Sequence, residues 1–123
     1  MKEREALHKV KYKKKFADAF RGLHVLLMTT SNLPIYIIIS LLVVFAGFYF
    51  CISYFEWTAI VFAIGLVFIS EAFNTAFEID IDLTSPEYHP YARDVKDVAA
   101  AAVLLSAFMA VIIGLIIFLP KIW

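Results

Sequence analysis

A chain of 123 residues that is 63% hydrophobic, with a mean hydropathy of +0.83, is too apolar for a soluble domain and reads as an integral membrane protein. Its formal net charge of zero hides a segregation: 8 of 11 Lys and Arg precede residue 22, and 7 of 11 acids lie between Glu71 and Asp97. The single cysteine, Cys51, excludes a disulfide framework or a cysteine-based metal site within one chain.

The basic residues of the first 15 positions lead into Phe16, Phe20, Leu23 and Leu27, which recur at helical spacing. Residues 1–30 are therefore expected to form a basic surface helix with its apolar side in the interface. Its lysines are open to two readings that can hold together, a topological anchor and a phosphate-binding patch. Thr29, Thr30, Ser31, Asn32 and Pro34 break this helix. The first long apolar run starts only near Leu33, too far in and too long for a cleaved signal peptide.

Residues 33–55 carry no charge and are long enough to cross about 30 Å of hydrocarbon, giving a first span. A short turn at Phe55, Glu56 and Trp57 returns the chain through a second span, residues 57–82. Two prolines and several hydrogen-bonding side chains mark residues 83–91 as a surface loop. A third span follows over residues 92–119, with a small-residue face at Ala99, Ala100, Ala101 and Ala102 on which another helix can pack closely. The whole of 1–123 is one membrane domain in this reading. The basic residues put the amino terminus and the 83–91 loop on the cytoplasmic side. With so little interior of its own, the chain is expected to assemble as a homo-oligomer.

Acids are costly inside a membrane, yet the second span ends in Glu71, Glu78, Asp80 and Asp82. At about 100° per residue, Glu71, Asn74, Glu78 and Asp82 share one stripe, while Asp80 points to the opposite side. A poorly solvated Glu71 has its proton affinity raised, which suits it to take a proton from a substrate hydroxyl; a proton-carrying or packing role also fits. Asn74 can orient Glu71 or a phosphate oxygen. Glu78 and Asp82 can offer oxygens to magnesium, or simply end a solvated helix. Lys96 could neutralise a transferring phosphate and Asp97 could fix that lysine or an active-site group, against ordinary snorkelling at the interface. His89 could touch a phosphate or lie plainly on the surface. Base, metal carboxylate, orienting amide and cation together make a phosphoryl-transfer inventory. No Walker-type loop or soluble-kinase motif is present, so any nucleotide site must be built from helix ends and the loop.

The run Glu71-Ala72-Phe73-Asn74-Thr75-Ala76-Phe77-Glu78, then Asp82, then Ser85-Pro86-Glu87-Tyr88-His89-Pro90, then Lys96-Asp97-Val98-Ala99, resembles the signature of the small prokaryotic diacylglycerol kinase and undecaprenol kinase family. The Pro-Glu-Tyr-His-Pro form looks more like the undecaprenol kinase branch. The resemblance implies an all-α membrane protein with an amphipathic N-terminal surface helix plus three transmembrane helices, a homotrimer in the bacterial inner membrane. It further implies Glu71 as general base supported by Asn74, Glu78 as ligand of the magnesium carried by ATP, and Glu87, Tyr88, His89, Lys96 and Asp97 as contacts of ATP. Asp82 is expected to support the site. One position departs from the family. Thr30 stands where a second metal-binding glutamate is usual, and a neutral hydroxyl is a poor replacement for a carboxylate on magnesium. Asp18 likewise stands where the family tends to have an aromatic or small residue.

The sequence thus implies an ATP-dependent lipid kinase acting on undecaprenol or diacylglycerol, with no nucleic-acid partner. The alternative is a non-catalytic homologue that binds nucleotide or lipid without transfer.

Overall fold

The structure, a computed structural model covering residues 1–123, contains four helices and no strand. They are α1 (Lys2–Thr29), α2 (Leu33–Tyr49), α3 (Tyr54–Thr84) and α4 (Pro90–Ile122). The chain divides into two units, Met1–Ser31 and Asn32–Trp123.

The first unit is α1. Glu3 and Glu5 in its first turn favour the positive end of the helix dipole. It ends where Thr30 turns to extended backbone, its N–H closing on the Leu26 carbonyl at 3.1 Å. None of its residues is buried, and Phe16, Phe20, Leu23 and Leu27 form an exposed apolar stripe in its second half.

In the second unit, α3 and α4 are each long and apolar enough to cross a membrane. They pack along one another, and α2 meets α3 less extensively. Pro34 sits in the first turn of α2, where its missing N–H costs nothing. The apolar run that reads as a 33–55 span does not stay helical: α2 stops at Tyr49. Ile52 N–H bonds the Gly47 carbonyl at 3.1 Å and Cys51 N–H bonds the Phe48 carbonyl at 3.3 Å, the paired closure of a Schellman motif. Cys51 occupies the left-handed position of that motif, at φ 52°. Tyr54 and Phe55 belong to the next helix instead, because Ser53 caps it. Its hydroxyl accepts from Glu56 N–H at 3.2 Å while Glu56 accepts from Ser53 N–H at 3.1 Å, a complete capping box.

Helix α3 runs on to Thr84, so the connection to α4 is shorter than the 83–91 loop read from the sequence. Pro90 opens α4, its fixed φ suited to a first helical position, and His89 caps it by accepting the Tyr91 N–H at 3.1 Å. The helix continues past Leu119 to Ile122 despite Pro120 in its last turn: Trp123 N–H bonds the Leu119 carbonyl and Lys121 Nζ donates back to the Ile117 carbonyl. The core of this unit sits at the Schellman corner, where buried Ile52, Ile60 and Ile117 gather with Trp57, Phe50 and Phe118. Burial there leaves the opposite end of α3 and α4 open for polar groups.

Candidate functional site

The last four turns of α3 carry a polar stripe into an apolar bundle. Glu71 is 5% exposed, Asn74 8% and Thr75 5%, so three consecutive positions of this face are enclosed within the protein. One to two turns further on, Glu78 and Asp82 emerge into the open, and Asp80 is exposed on the other side. Glu71 lies within electrostatic reach of Glu78 on its own helix and of Tyr36 on α2.

Asn74 does not turn to Glu71. Its amide donates to Glu78 Oε1 at 3.4 Å, one helical turn along, and its Oδ1 is buried with no hydrogen-bond partner. A buried orphan acceptor is costly and calls for a donor or a cation. Glu78, one turn on and exposed, offers a single hard carboxylate, which fits a magnesium ion that takes its remaining ligands from phosphate and water. No group of three or more His, Cys, Asp or Glu side chains converges within the chain.

At the wet end, a cleft of about 270 Å³ opens between the end of α3, the connection and the start of α4. Asp82, Glu87, Tyr88, His89, Lys96 and Asp97 all line it, so six residues singled out from the sequence meet in one place. Lys96 Nζ donates to Asp82 Oδ1 at 2.5 Å, and not to Asp97. Adjacent residues on a helix point about 100° apart, so Lys96 and Asp97 cannot face each other. Asp97 instead pairs with Arg93, one turn before it, at 3.6 Å. The Nδ1 of His89 is committed to its capping bond, and its ring lies 5.5 Å from that of Tyr91. Glu87 and Tyr88 are exposed on the connection.

Arg93 is the cleft residue that sequence reasoning passed over. Its spacing from Asp97 was the available signal, since an arginine four residues before an acid shares its helix face. Arg93 and Lys96 give the cleft two cations, a planar fork and a point charge, both suited to phosphate.

A separate apolar cavity of about 440 Å³ is bounded by α2, α3 and α4. Its lining includes Tyr36, Ser40 and Val67, which brings it within one turn of Glu71.

Comparison with known proteins adds a lineage to this geometry. Residues 17–118 match the family described as prokaryotic diacylglycerol kinase. The chain is 40% identical over 108 residues, 88% of its own length and 88% of the relative's, to an undecaprenol kinase of Bacillus subtilis (strain 168). It is 52% identical over 56 residues to a diacylglycerol kinase of Synechocystis sp., covering 45% of this chain and 32% of that protein. A diacylglycerol kinase of Helicobacter pylori is 30% identical over 70 residues, 57% of this chain and 55% of the relative.

Proposed function

The chain belongs to the prokaryotic diacylglycerol kinase family of membrane lipid kinases, and on that premise we propose that it transfers the γ-phosphoryl group of ATP to the hydroxyl of undecaprenol or diacylglycerol. The observation that carries the proposal is the gradient along one face of α3. An enclosed carboxylate, Glu71, stands beside an apolar cavity, and about 16 Å along the helix the same face reaches Asp82 in a cleft with Lys96 and Arg93. That distance suits an extended nucleoside triphosphate with its phosphate tail toward Glu71.

In this reading the lipid chain lies in the apolar cavity and presents its hydroxyl to Glu71, which accepts the proton as the oxygen attacks phosphorus. Lys96 and Arg93 hold the phosphate charges, and Glu87, Tyr88 and His89 border the nucleoside. Magnesium arriving with ATP supplies charge neutralisation, and Glu78 would hold it, its carboxylate oriented by the Asn74 amide. Asp82 keeps Lys96 in place. The enzyme works as a homotrimer in the bacterial inner membrane with its amino terminus and cleft cytoplasmic. Exposed apolar side chains along α4, such as Leu104, Leu105 and Phe108, suit packing against further copies or lipid.

The test is purified protein in mixed micelles with labelled ATP, offered undecaprenol and diacylglycerol separately, with and without magnesium. Magnesium-dependent labelling of either lipid is expected. Labelling of neither, in a folded preparation, removes the proposal. A second reading is favoured by Thr30: a homologue that binds nucleotide or lipid without transfer. It expects nucleotide binding but no turnover in the same micelles.

A further inference from the structure

Three polar contacts join α3 to α4, in one antiparallel register: Glu56 with Lys121, Ser70 with Ser106, and Asp82 with Lys96. The outer two are ion pairs near the helix ends. The middle one lies inside the apolar length of both helices, Oγ to Oγ at 2.6 Å, with Ser106 buried.

The direction of this bond follows from the donors available. Ser106 gives its one hydroxyl hydrogen to the Ala102 carbonyl at 2.9 Å, so the hydrogen between the two serines belongs to Ser70. Ser40 of α2 and Thr58 and Thr84 of α3 return their hydroxyls to their own backbone four residues earlier, at Tyr36, Tyr54 and Asp80. Ser70 reaches across to another helix. Glu71 is the next residue.

We propose that Ser70 and Ser106 are positioning residues that fix the rotation of α3 and thereby aim the Glu71 carboxylate. The inference rests on Glu71 acting as the base. A helix is about 10–12 Å across, so a rotation of about 10° moves a side-chain atom at its rim by about 1 Å. A misplacement of that size can cost about 10²-fold in rate. Apolar neighbours do not resist such a rotation strongly in lipid, because side chains lose little by exchanging protein for acyl contacts. A directed hydrogen bond does resist it, since the displaced hydroxyl finds no water. Asp82 and Lys96 tie the far end of α3 to α4 about three turns further along, so a rotation released at Ser70 is damped toward the cleft and nucleotide affinity changes less than the rate.

The test measures kcat and the KM for ATP in mixed micelles for Ser70→Ala, Ser106→Ala, the double variant and Ser70→Thr, with gel filtration and thermal unfolding of each. The expected result is a kcat lowered about tenfold or more in both alanine variants. The KM for ATP stays within about twofold of wild type, the double variant is no worse than either single, and Ser70→Thr restores the rate. Ser70→Cys, which keeps the volume and a weak donor, takes the place of Ser70→Ala if that variant does not fold. Wild-type kcat in the folded alanine variants overturns the positioning role, as does a rate loss matched by an equal rise in KM or multiplied in the double variant. A wild-type protein that phosphorylates neither lipid removes the kinase reading itself and this inference with it.

Discussion

Lys96 of α4 reaches across to Asp82 of α3 at 2.5 Å, so this cation of the cleft is held by the helix that carries Glu71 and not by its neighbour Asp97. The pair is partly exposed, with 39% of the lysine and 67% of the aspartate side chain accessible, and an exposed pair contributes only about 0–1 kcal/mol to stability. In the proposed kinase its value lies in aiming the ammonium group. Lys96→Met should therefore lower kcat/KM for ATP by about 10²-fold while moving the unfolding midpoint only slightly. Asp82→Asn, which frees the lysine without removing it, should give a smaller loss. Steady-state kinetics and thermal unfolding on the same preparations check both.

Glu71→Gln keeps the volume of an enclosed side chain and removes its charge and its ability to accept a proton. Loss of a general base costs about 10²–10⁴-fold, so phosphorylation should become barely detectable. Gel filtration should show the same oligomer as wild type. Full turnover in this variant would take the role of base away from Glu71.

The helices were legible because apolar runs and their interruptions dictate them, and the polar stripe because 100° per residue places Glu71, Asn74, Glu78 and Asp82 together. Periodicity describes one helix at a time. It does not fix the register between two, which is why the Asp82–Lys96 and Ser70–Ser106 contacts could not be read in advance. The corner between α2 and α3 was missed for a different reason. Ser53 and Glu56 spell a capping box, but the left-handed position before it holds Cys51 where a glycine would have announced the turn. His89 was weighed as a phosphate contact and not as a helix cap, although it directly precedes Pro90, a favoured first helical residue.

Thr30 offers a gain-of-function test. If the family's second metal carboxylate matters to this enzyme, Thr30→Glu should lower the magnesium concentration needed for half-maximal activity by about tenfold. A magnesium titration at fixed ATP reads this directly. An inactive wild type that gains turnover on the same substitution would support the non-catalytic reading.

Cys51 adopts φ 52°, a conformation that costs a residue with a Cβ about 1–2 kcal/mol and glycine almost nothing. Its Sγ makes only a 3.7 Å contact to the Phe48 carbonyl, so little is lost with the side chain. Cys51→Gly should raise the unfolding midpoint by roughly the equivalent of 1 kcal/mol, reduced by glycine's greater freedom when unfolded, and leave kinetics unchanged. A lower midpoint would show that the thiol packs against something that its exposure does not suggest.

Gly47 admits the indole of Trp57, and this contact locks the same corner. A Cβ at position 47 would stand 2.6 Å from Trp57 Cη2 and 2.9 Å from Cζ2, with Ile52 Cδ1 at 3.1 Å. The indole cannot simply swing aside, since its other neighbours are Phe48, at 4.9 Å between ring centroids, and the buried isoleucine cluster. Gly47→Ala should accordingly destabilise by about 1–3 kcal/mol, the usual cost of overpacking a filled site. The two atoms in closest conflict belong to the benzo ring, which phenylalanine lacks. Trp57→Phe in the Gly47→Ala background should recover part of the loss, so that the double variant is more stable than the sum of the singles. Thermal unfolding of the four proteins in one detergent measures the coupling, and strict additivity would mean that the indole and the glycine are not in contact.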